Sequence, residues 1–490
     1  MKKMQADIVI VAAGTAGLAA AVTAAEKGAS VIALEKGGHY GGNGNLAAGP
    51  FAVESRFQKV KQYPLTREQA FKIHMDFTHW TVNARLVKTY IDKSASTLDW
   101  LEEMGIEFYD TAAHGAGMNY TWHLIKIPPG KPKTNGGYLV MDALAKKAAE
   151  LGVRILTKTP VKKIIKVGNR VTGVIAEDMN GAEIEVRGKA VILATGGYGA
   201  YWRAPMGIPL HGDGLHMAQE IGADVTEGTI VSMLTMGGNA PPAGGPPPKH
   251  QATRLIQSAG CVFQQPVLLV NLLGERFTDE NAIINTPAGS NAIAAQKNGA
   301  VFAIVDENTK NYFVENGLDY VSGYGILKMG GDPVYKPADF DAEIKEIIEN
   351  GSENIFVADN LKELASKMGV NKAAFLKTIE EYNEACQTGR DNAFGKAARY
   401  LRPVEQPRFY ASKRVGMPGG KPEGIRINYR TEVLTKEHET IPGLYAAGMD
   451  TACNIYYDLY VNYLPGNAYG WALNSGRMAA ENALEYIKSK

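Results

Sequence analysis

Four tyrosines, Tyr456, Tyr457, Tyr460 and Tyr463, crowd a short stretch that ends in Leu464-Pro465-Gly466-Asn467, and Tyr120 stands apart from them. A phenol can donate a hydrogen bond to an oxygen that gains negative charge, and it can also pass a proton on. Near the other end of the chain, Gly14 and Gly17 occupy the second and third positions of a Gly-x-Gly-x-x-Gly turn. Glycine at these places lets backbone approach a pyrophosphate and lets a helix pack closely on a strand, and the free N–H groups of the helix N-terminus then face the phosphates. The first glycine is replaced by Ala12, which adds a methyl at the tightest part of the turn. Glu35, further along, is placed to take a ribose hydroxyl.

The elements that must hold these groups can be read around them. Ile8–Val11 is a short apolar run expected as a strand buried on both faces, followed by an alanine-rich helix from about Gly17 to Lys27. Val31–Leu34 is the next strand, and Glu35 ends it. Helical spacing runs from about Thr66 to Met104 and again over Leu139–Leu151, and then β-branched strands fill Val153–Val186. Val191–Ala194 is another buried strand, Gly212-Asp213-Gly214 opens a helix, and Lys372–Ala385 is helical. Leu444–Ala447 is a last strand of the same character, and Asn467–Ile487 a long final helix. Glycine and proline dominate Gly237–Pro248, a loop that suggests a boundary.

With 490 residues the chain exceeds what one core usually serves. A net charge of +1 gives no reason to expect nucleic acid or an anionic membrane as partner. Cys261, Cys386 and Cys453 are scattered without metal-ligand or haem-attachment spacing, so no metal site is expected and any metal-centre relay belongs to another protein. Lys2 and Lys3 before the apolar stretch resemble a secretory signal, but Gly14, Gly17 and Glu26-Lys27-Gly28 fit a nucleotide-binding unit better, so the expected location is cytoplasmic without stable membrane insertion.

Gly41-Gly42-Asn43-Gly44-Asn45-Leu46-Ala47-Ala48-Gly49 resembles the flavin-contacting segment of the fumarate reductase and succinate dehydrogenase flavoprotein superfamily. Further segments resemble that family in the same order: Val191 to Gly197, Gly212-Asp213-Gly214, Asn271 with Gly274-Glu275-Arg276-Phe277 and Glu280, Gly443 to Gly448, and Gly466-Asn467-Ala468 through Gly476-Arg477. The resemblance covers nearly the whole chain. It implies an α/β fold in which a Rossmann-like FAD-binding domain is split between residues 1–236 and 417–490, with an inserted α+β capping domain over 237–416. It implies FAD contacts at Gly14, Ala16, Gly17, Glu35, Lys36, Gly42, Asn43, Gly44, Ala48, Gly49, Val161, Ala194, Thr195, Gly196, Asp213, Gly448, Met449, Gly466, Asn467 and Ala468. His39 lies outside the position expected for covalent attachment, so non-covalent FAD is expected.

The chain departs from the family where fumarate would be gripped. Ile284 stands where the proton-delivering arginine is expected, Met233 or Leu234 near one substrate histidine, and Tyr463 at a substrate arginine; Arg414 to Gly420 holds no second histidine. A dicarboxylate entering without these partners would cost several kcal/mol, roughly, in buried unpaired charge. Tyrosine at position 463 resembles the ketosteroid dehydrogenases of the superfamily, where it binds the substrate ketone. These features predict hydride and proton transfer across a C–C bond next to a carbonyl in a bulky, neutral, cyclic or aromatic molecule such as an enone, a steroid-like ketone or a plant phenolic. Tyr463 would bind the carbonyl, and Tyr460, Tyr457 or Tyr120 would move the proton. The electron donor or acceptor is a separate partner. The alternatives are a reductase of an unsaturated carboxylate using Arg254, Arg276 or Arg414, and a non-catalytic flavin-binding electron-transfer subunit.

Overall fold

The computed structural model describes residues 2–113, 118–132, 135–198, 210–226, 232–237, 258–283, 286–319, 336–418, 423–456 and 460–490. Tyr457, Arg254, Ile284 and nearly all of the Gly237–Pro248 loop lie outside the described residues. Contacts divide the chain into two compact units, one of Met1–Ala113, Met118–Ile230 and Lys421–Lys490, the other of His114–Gly117 and Val231–Gly420.

The first unit is built on a mixed sheet with a five-stranded parallel core. In spatial order the core strands are Arg154–Leu156, Val31–Leu34, Lys2–Val11, Glu183–Leu193 and Thr440–Ala446, all paired in parallel. Numbered along the chain this is 3-2-1-4-5, an order used by doubly wound sheets, which open a crevice beyond the carboxyl ends of their strands. Alternation supplies the two cores: Val9, Val11, Val191 and Leu193 enter one, while Ile8, Ile10, Ala190 and Ile192 enter the other. Each of these side chains is at most 3% exposed. Burial of that kind stabilises by roughly 1.5–3 kcal/mol per large aliphatic side chain.

Helix Thr15–Glu26 lies in the second core beside helix Gly137–Glu150 and the long helix Asn467–Lys488. Small residues on the facing sides of the first and last helices permit the close approach: a methyl on Gly476 would be driven into the Ala16 carbonyl. The helical stretch expected over Thr66–Met104 is two helices, Arg67–Phe77 and Ala84–Glu103. The chain breaks at His79 and Trp80, both at positive φ, and restarts where the Asn83 side chain accepts from Leu86 N–H at 3.1 Å.

The second unit contains a five-stranded antiparallel sheet of Ser232–Gly237, Phe409–Pro418, Ala300–Asp306 and Leu268–Asn271, with Ile355–Ala358 also paired to Phe409–Pro418. Helix Lys372–Thr388 packs on one face of it through Phe375, Ile379 and Tyr382. Among the described residues, no helix is long and apolar enough to cross a membrane.

Candidate flavin and substrate site

The turn after Val11 is held from three sides. Ala12 N–H donates to the Leu34 carbonyl (2.7 Å) and Gly41 N–H to the Ala13 carbonyl (2.8 Å). Ala13 N–H donates to one carboxylate oxygen of Glu35 (2.9 Å), whose other oxygen accepts from Gly37 N–H (2.6 Å). Glu35 is thereby oriented at the strand end with lone pairs left for a hydroxyl donor. The chain bends back here, since Thr159 N–H donates to the Glu35 carbonyl (2.8 Å) just before Val161 begins the strand Val161–Val167. A methyl on Gly14 would meet nothing within 4 Å, whereas one on Gly17 would be driven into the Ala12 carbonyl. One glycine leaves space for a ligand and the other allows packing.

Ala12 itself sits at φ 82°, where an L side chain is strained. Replacing Ala12 with glycine is expected to stabilise the protein by about 0.5–1 kcal/mol, the strain relieved minus glycine's entropic cost. Chemical denaturation of the flavin-loaded protein checks this; an unchanged or lowered midpoint would mean that the methyl makes a compensating contact.

The small-residue run lies against this turn. Gly42–Leu46 forms a short 3-10 helix, and Gly14 and Gly41 form a parallel bridge. A methyl on Gly44 would collide with Thr15 Oγ1 and Met141 Sδ (2.6 Å), and one on Gly49 with the His123 carbonyl. Ala48 is buried, and its carbonyl accepts from Ile125 N–H at 3.1 Å. His123 N–H donates to the Pro50 carbonyl (2.9 Å). The His123 ring is wholly buried, with Nδ1 3.0 Å from the Thr121 carbonyl and Nε2 2.6 Å from Ser55 Oγ. A carbonyl can only accept, so the proton belongs on Nδ1 and the serine hydroxyl donates to Nε2. His39 is exposed.

A third segment joins the cradle through a residue that sequence reasoning missed. The Asp450 carboxylate, wholly buried, accepts from Thr195 N–H (2.6 Å), Thr195 Oγ1 (2.8 Å) and Gly197 N–H (2.7 Å). Thr195 Oγ1 in turn accepts from Gly214 N–H (3.0 Å), at the start of helix Asp213–Glu220. Burial pushes the Asp450 carboxyl above the usual range, against the pull of the Thr195 and Gly197 hydrogen bonds. The acidic residue directly after Ala447-Gly448-Met449 was the available signal. Ala194 N–H donates to the Val11 carbonyl (3.0 Å), Gly196 is at positive φ, and a methyl on Gly448 would lie 2.9 Å from Ala16 Cβ. Met449 backs onto Gly197, and Lys36 pairs with Asp213.

Helix Asn467–Lys488 opens after Gly466, whose φ of 84° strains any L side chain, and Phe51 N and Trp122 Cδ1, each only 2.8 Å from where a Cβ would stand, leave no room for one. The first N–H groups of this helix, including that of Ala468, have no partner within it and present a positive dipole end. The Asn467 side chain, expected among the cofactor contacts, is taken up by the preceding loop: Nδ2 donates to the Val461 (2.6 Å) and Leu464 (2.7 Å) carbonyls, and Oδ1 accepts from Tyr456 (2.6 Å). Both N–H donors of its side chain are thereby engaged within the chain.

The tyrosines separate by role. Tyr456 is 1% exposed, and burial pushes its hydroxyl well above the usual phenol range, so it stays a donor. Tyr460 is half-buried against it, with ring centroids 4.6 Å apart. Tyr463 is 40% exposed and meets Phe77 edge to face at 5.7 Å. Its carbonyl accepts from Asn119 N–H (3.1 Å) and Nδ2 (2.9 Å), which brings the Tyr120 segment alongside. Tyr120 stacks on Tyr63 at 4.4 Å, and both line a cavity of about 530 Å³ with Leu65, Ile73 and Met118.

In the second unit, two of the three arginines expected to be available to a carboxylate substrate, Arg276 and Arg414, are occupied, and the third, Arg254, lies outside the described residues. Arg276 forks onto Glu280 (2.8 Å) and Asp391 (2.8 Å), and Lys396 closes the cluster on Glu280 at 3.3 Å. Arg414 is 1% exposed and donates to the Phe263 carbonyl at 2.8 Å. Asn271 shapes the same motif, its Oδ1 accepting from Leu273 and Glu275 N–H groups.

In the first unit, the open space at Gly14, the anchored Glu35 carboxylate, the helix ends and the cradle around Asp450 fit a flavin dinucleotide. Comparison with known proteins agrees. The profile of the FAD binding domain family matches residues 7–462. The chain is 34% identical to vinyl phenol reductase of Lactiplantibacillus plantarum, over 98% of this chain and 96% of that protein. It is 28% identical to NADH:fumarate oxidoreductase of Klebsiella pneumoniae over 97% of its length, but spans only 47% of that protein. The fold matches 3-ketosteroid-Δ4-(5α)-dehydrogenase of Rhodococcus jostii with a TM-score of 0.70 at 22% identity, covering 99% and 97% of the two chains. The chain belongs to the FAD binding domain family and is an FAD-dependent oxidoreductase of the fumarate reductase type.

Proposed function

We propose that this flavin-dependent reductase acts on a carbon–carbon double bond conjugated with a phenol ring or carbonyl in a neutral, cyclic or aromatic substrate, using electrons from a separate donor. Bound FAD supplies hydride exchange with the substrate carbon. The Gly14 turn, Glu35, the Gly41–Gly49 run, the Thr195–Gly197 turn with Asp450, and the Asn467 helix end hold it without a covalent bond. In this reading residues 1–236 and 417–490 form the split nucleotide-binding fold and 237–416 the cap. Strand Thr440–Ala446 supports that division, because it joins the sheet of the opening strands from far along the chain.

Tyr463 donates its hydroxyl to the substrate oxygen and steadies the charge that gathers there. Tyr460, Tyr457 or Tyr120 moves the proton. The observation that carries the proposal is the exposed Tyr463 ring on the loop that leads into the helix end, at the position where the resemblance to fumarate reductases leads one to expect an arginine. Occupation of Arg276 and Arg414 argues against a carboxylate substrate. Similarity to vinyl phenol reductase across both whole chains favours a phenolic one.

The test is anaerobic reduction of the flavin followed by reoxidation with vinyl phenol, a cyclic enone, a cinnamate and fumarate. Neutral substrates should reoxidise it, and fumarate should not. Tyr463→Phe should slow reoxidation at least tenfold, about 1.4 kcal/mol, with flavin content intact. An unchanged rate removes Tyr463 from the mechanism.

A further inference from the structure

We infer that Asn467 is a positioning residue that clamps the Tyr463 loop to the start of the final helix, an inference that rests on the role proposed above for Tyr463. Its amide directs both N–H donors to the carbonyls of Val461 (2.6 Å) and Leu464 (2.7 Å), which flank Tyr463 in the chain. The orientation of the amide is fixed by Tyr456, whose hydroxyl donates to Oδ1 at 2.6 Å. Tyr456 is fixed in turn by the His74 ring, near parallel at 6.5 Å and 19°. His74 donates from Nε2 to the Ile455 carbonyl at 2.7 Å.

A second asparagine holds the same loop through the Tyr463 carbonyl, which accepts from Asn119. The backbone on either side of Tyr463 is thus fixed by side chains from two distant parts of the chain. The Asn467 carbonyl accepts from Tyr90 at 3.1 Å, so the clamp is also tied to helix Ala84–Glu103. Asn467 is 5% exposed, which leaves its donors no water to exchange for those carbonyls. The same residue opens the helix whose N–H groups would face the flavin. A small movement of its amide therefore shifts the phenol relative to the cofactor, and misplacement by about 1 Å can cost a hundredfold in rate.

A double-mutant cycle of Asn467→Ser and Tyr463→Phe tests this, with reoxidation by vinyl phenol, flavin content and amide hydrogen exchange over 461–464 as readouts. Asn467→Ser should keep its flavin, slow reoxidation roughly tenfold and speed exchange in the loop, yet add little to Tyr463→Phe. Multiplying effects, or loss of flavin from Asn467→Ser with the loop still protected, would overturn the inference and make Asn467 an independent or cofactor-binding residue. If Tyr463→Phe alone has full activity, the proposed function fails first, and the clamp loses its purpose with it. Tyr456→Phe, which deletes one hydroxyl, repeats the cycle if Asn467→Ser does not fold.

Discussion

Asp450→Ala is expected to yield protein that folds poorly and is nearly colourless, with the ratio of flavin to protein absorbance reduced by roughly tenfold or more. Three donors converge on this carboxylate, two of them backbone N–H groups that cannot turn elsewhere. Each donor left without a partner costs about 1–3 kcal/mol where water cannot replace it. The half-buried Thr195 can recover part of this, which sets the expected loss near 2–5 kcal/mol. The turn at 195–197 and the segment at 448–450 would then separate, and both flank the expected cofactor. Asp450→Asn should fall between, because its amide N–H would face an N–H donor. The carboxyl is raised by burial, so stability falls as pH rises from the ordinary carboxylate value toward the folded one. Hydrogen bonds offset that penalty only while all three are made. A well-coloured Asp450→Ala protein of normal stability would show that the two turns hold each other without it.

Asp450 also shows where reading the sequence runs out. The segment around it is legible, because Leu444 to Gly448 continues an apolar strand into a glycine turn. The carboxylate's partners lie some 250 residues away, and no local pattern encodes such a pairing. Ile8–Val11, Val31–Leu34 and Val191–Leu193 are legible for the opposite reason: burial on both faces demands continuous apolar runs. Residues Lys2–Ala6 extend the first strand unannounced, since their pairing with Ile184–Gly188 satisfies the backbone although several side chains face water. The break between Thr78 and Asn83 is hidden because His79 and Trp80, rather than glycine or proline, adopt positive φ. The tyrosine cluster is visible as composition, but only packing separates the buried structural Tyr456 from the exposed Tyr463. The motif around Asn467 points to a cofactor contact, whereas tertiary hydrogen bonds give its side chain to the loop.

Acid should dismantle this site within a defined window, set by two buried histidines that no motif announced. His74 and His123 are each about 1% exposed or less, and burial lowers both to about 4 from an ordinary 6.5. Above pH 6.5 neither the folded nor the unfolded chain protonates them, and their full contribution is present. As pH falls below 6.5 the unfolded chain takes up protons first, so stability is lost progressively down to the folded value near 4. At about 1.4 kcal/mol for each pH unit between the two values, each histidine removes about 3 kcal/mol by pH 4. Asp7, held near 2 by Lys189 and Ser30, titrates below that window and does not confuse it. The damage is local as well as global. His123 backs the Gly49–Pro50 segment, and His74 backs Tyr456 and the clamp on the tyrosine loop. Flavin release, followed by its fluorescence, should therefore set in between pH 6 and 4 (roughly, from the same two values) together with loss of the denaturation midpoint. Replacing either histidine with glutamine should lower stability at neutral pH but flatten its pH dependence by about one proton. Variants with the wild-type slope between those limits would mean that other groups carry the acid transition.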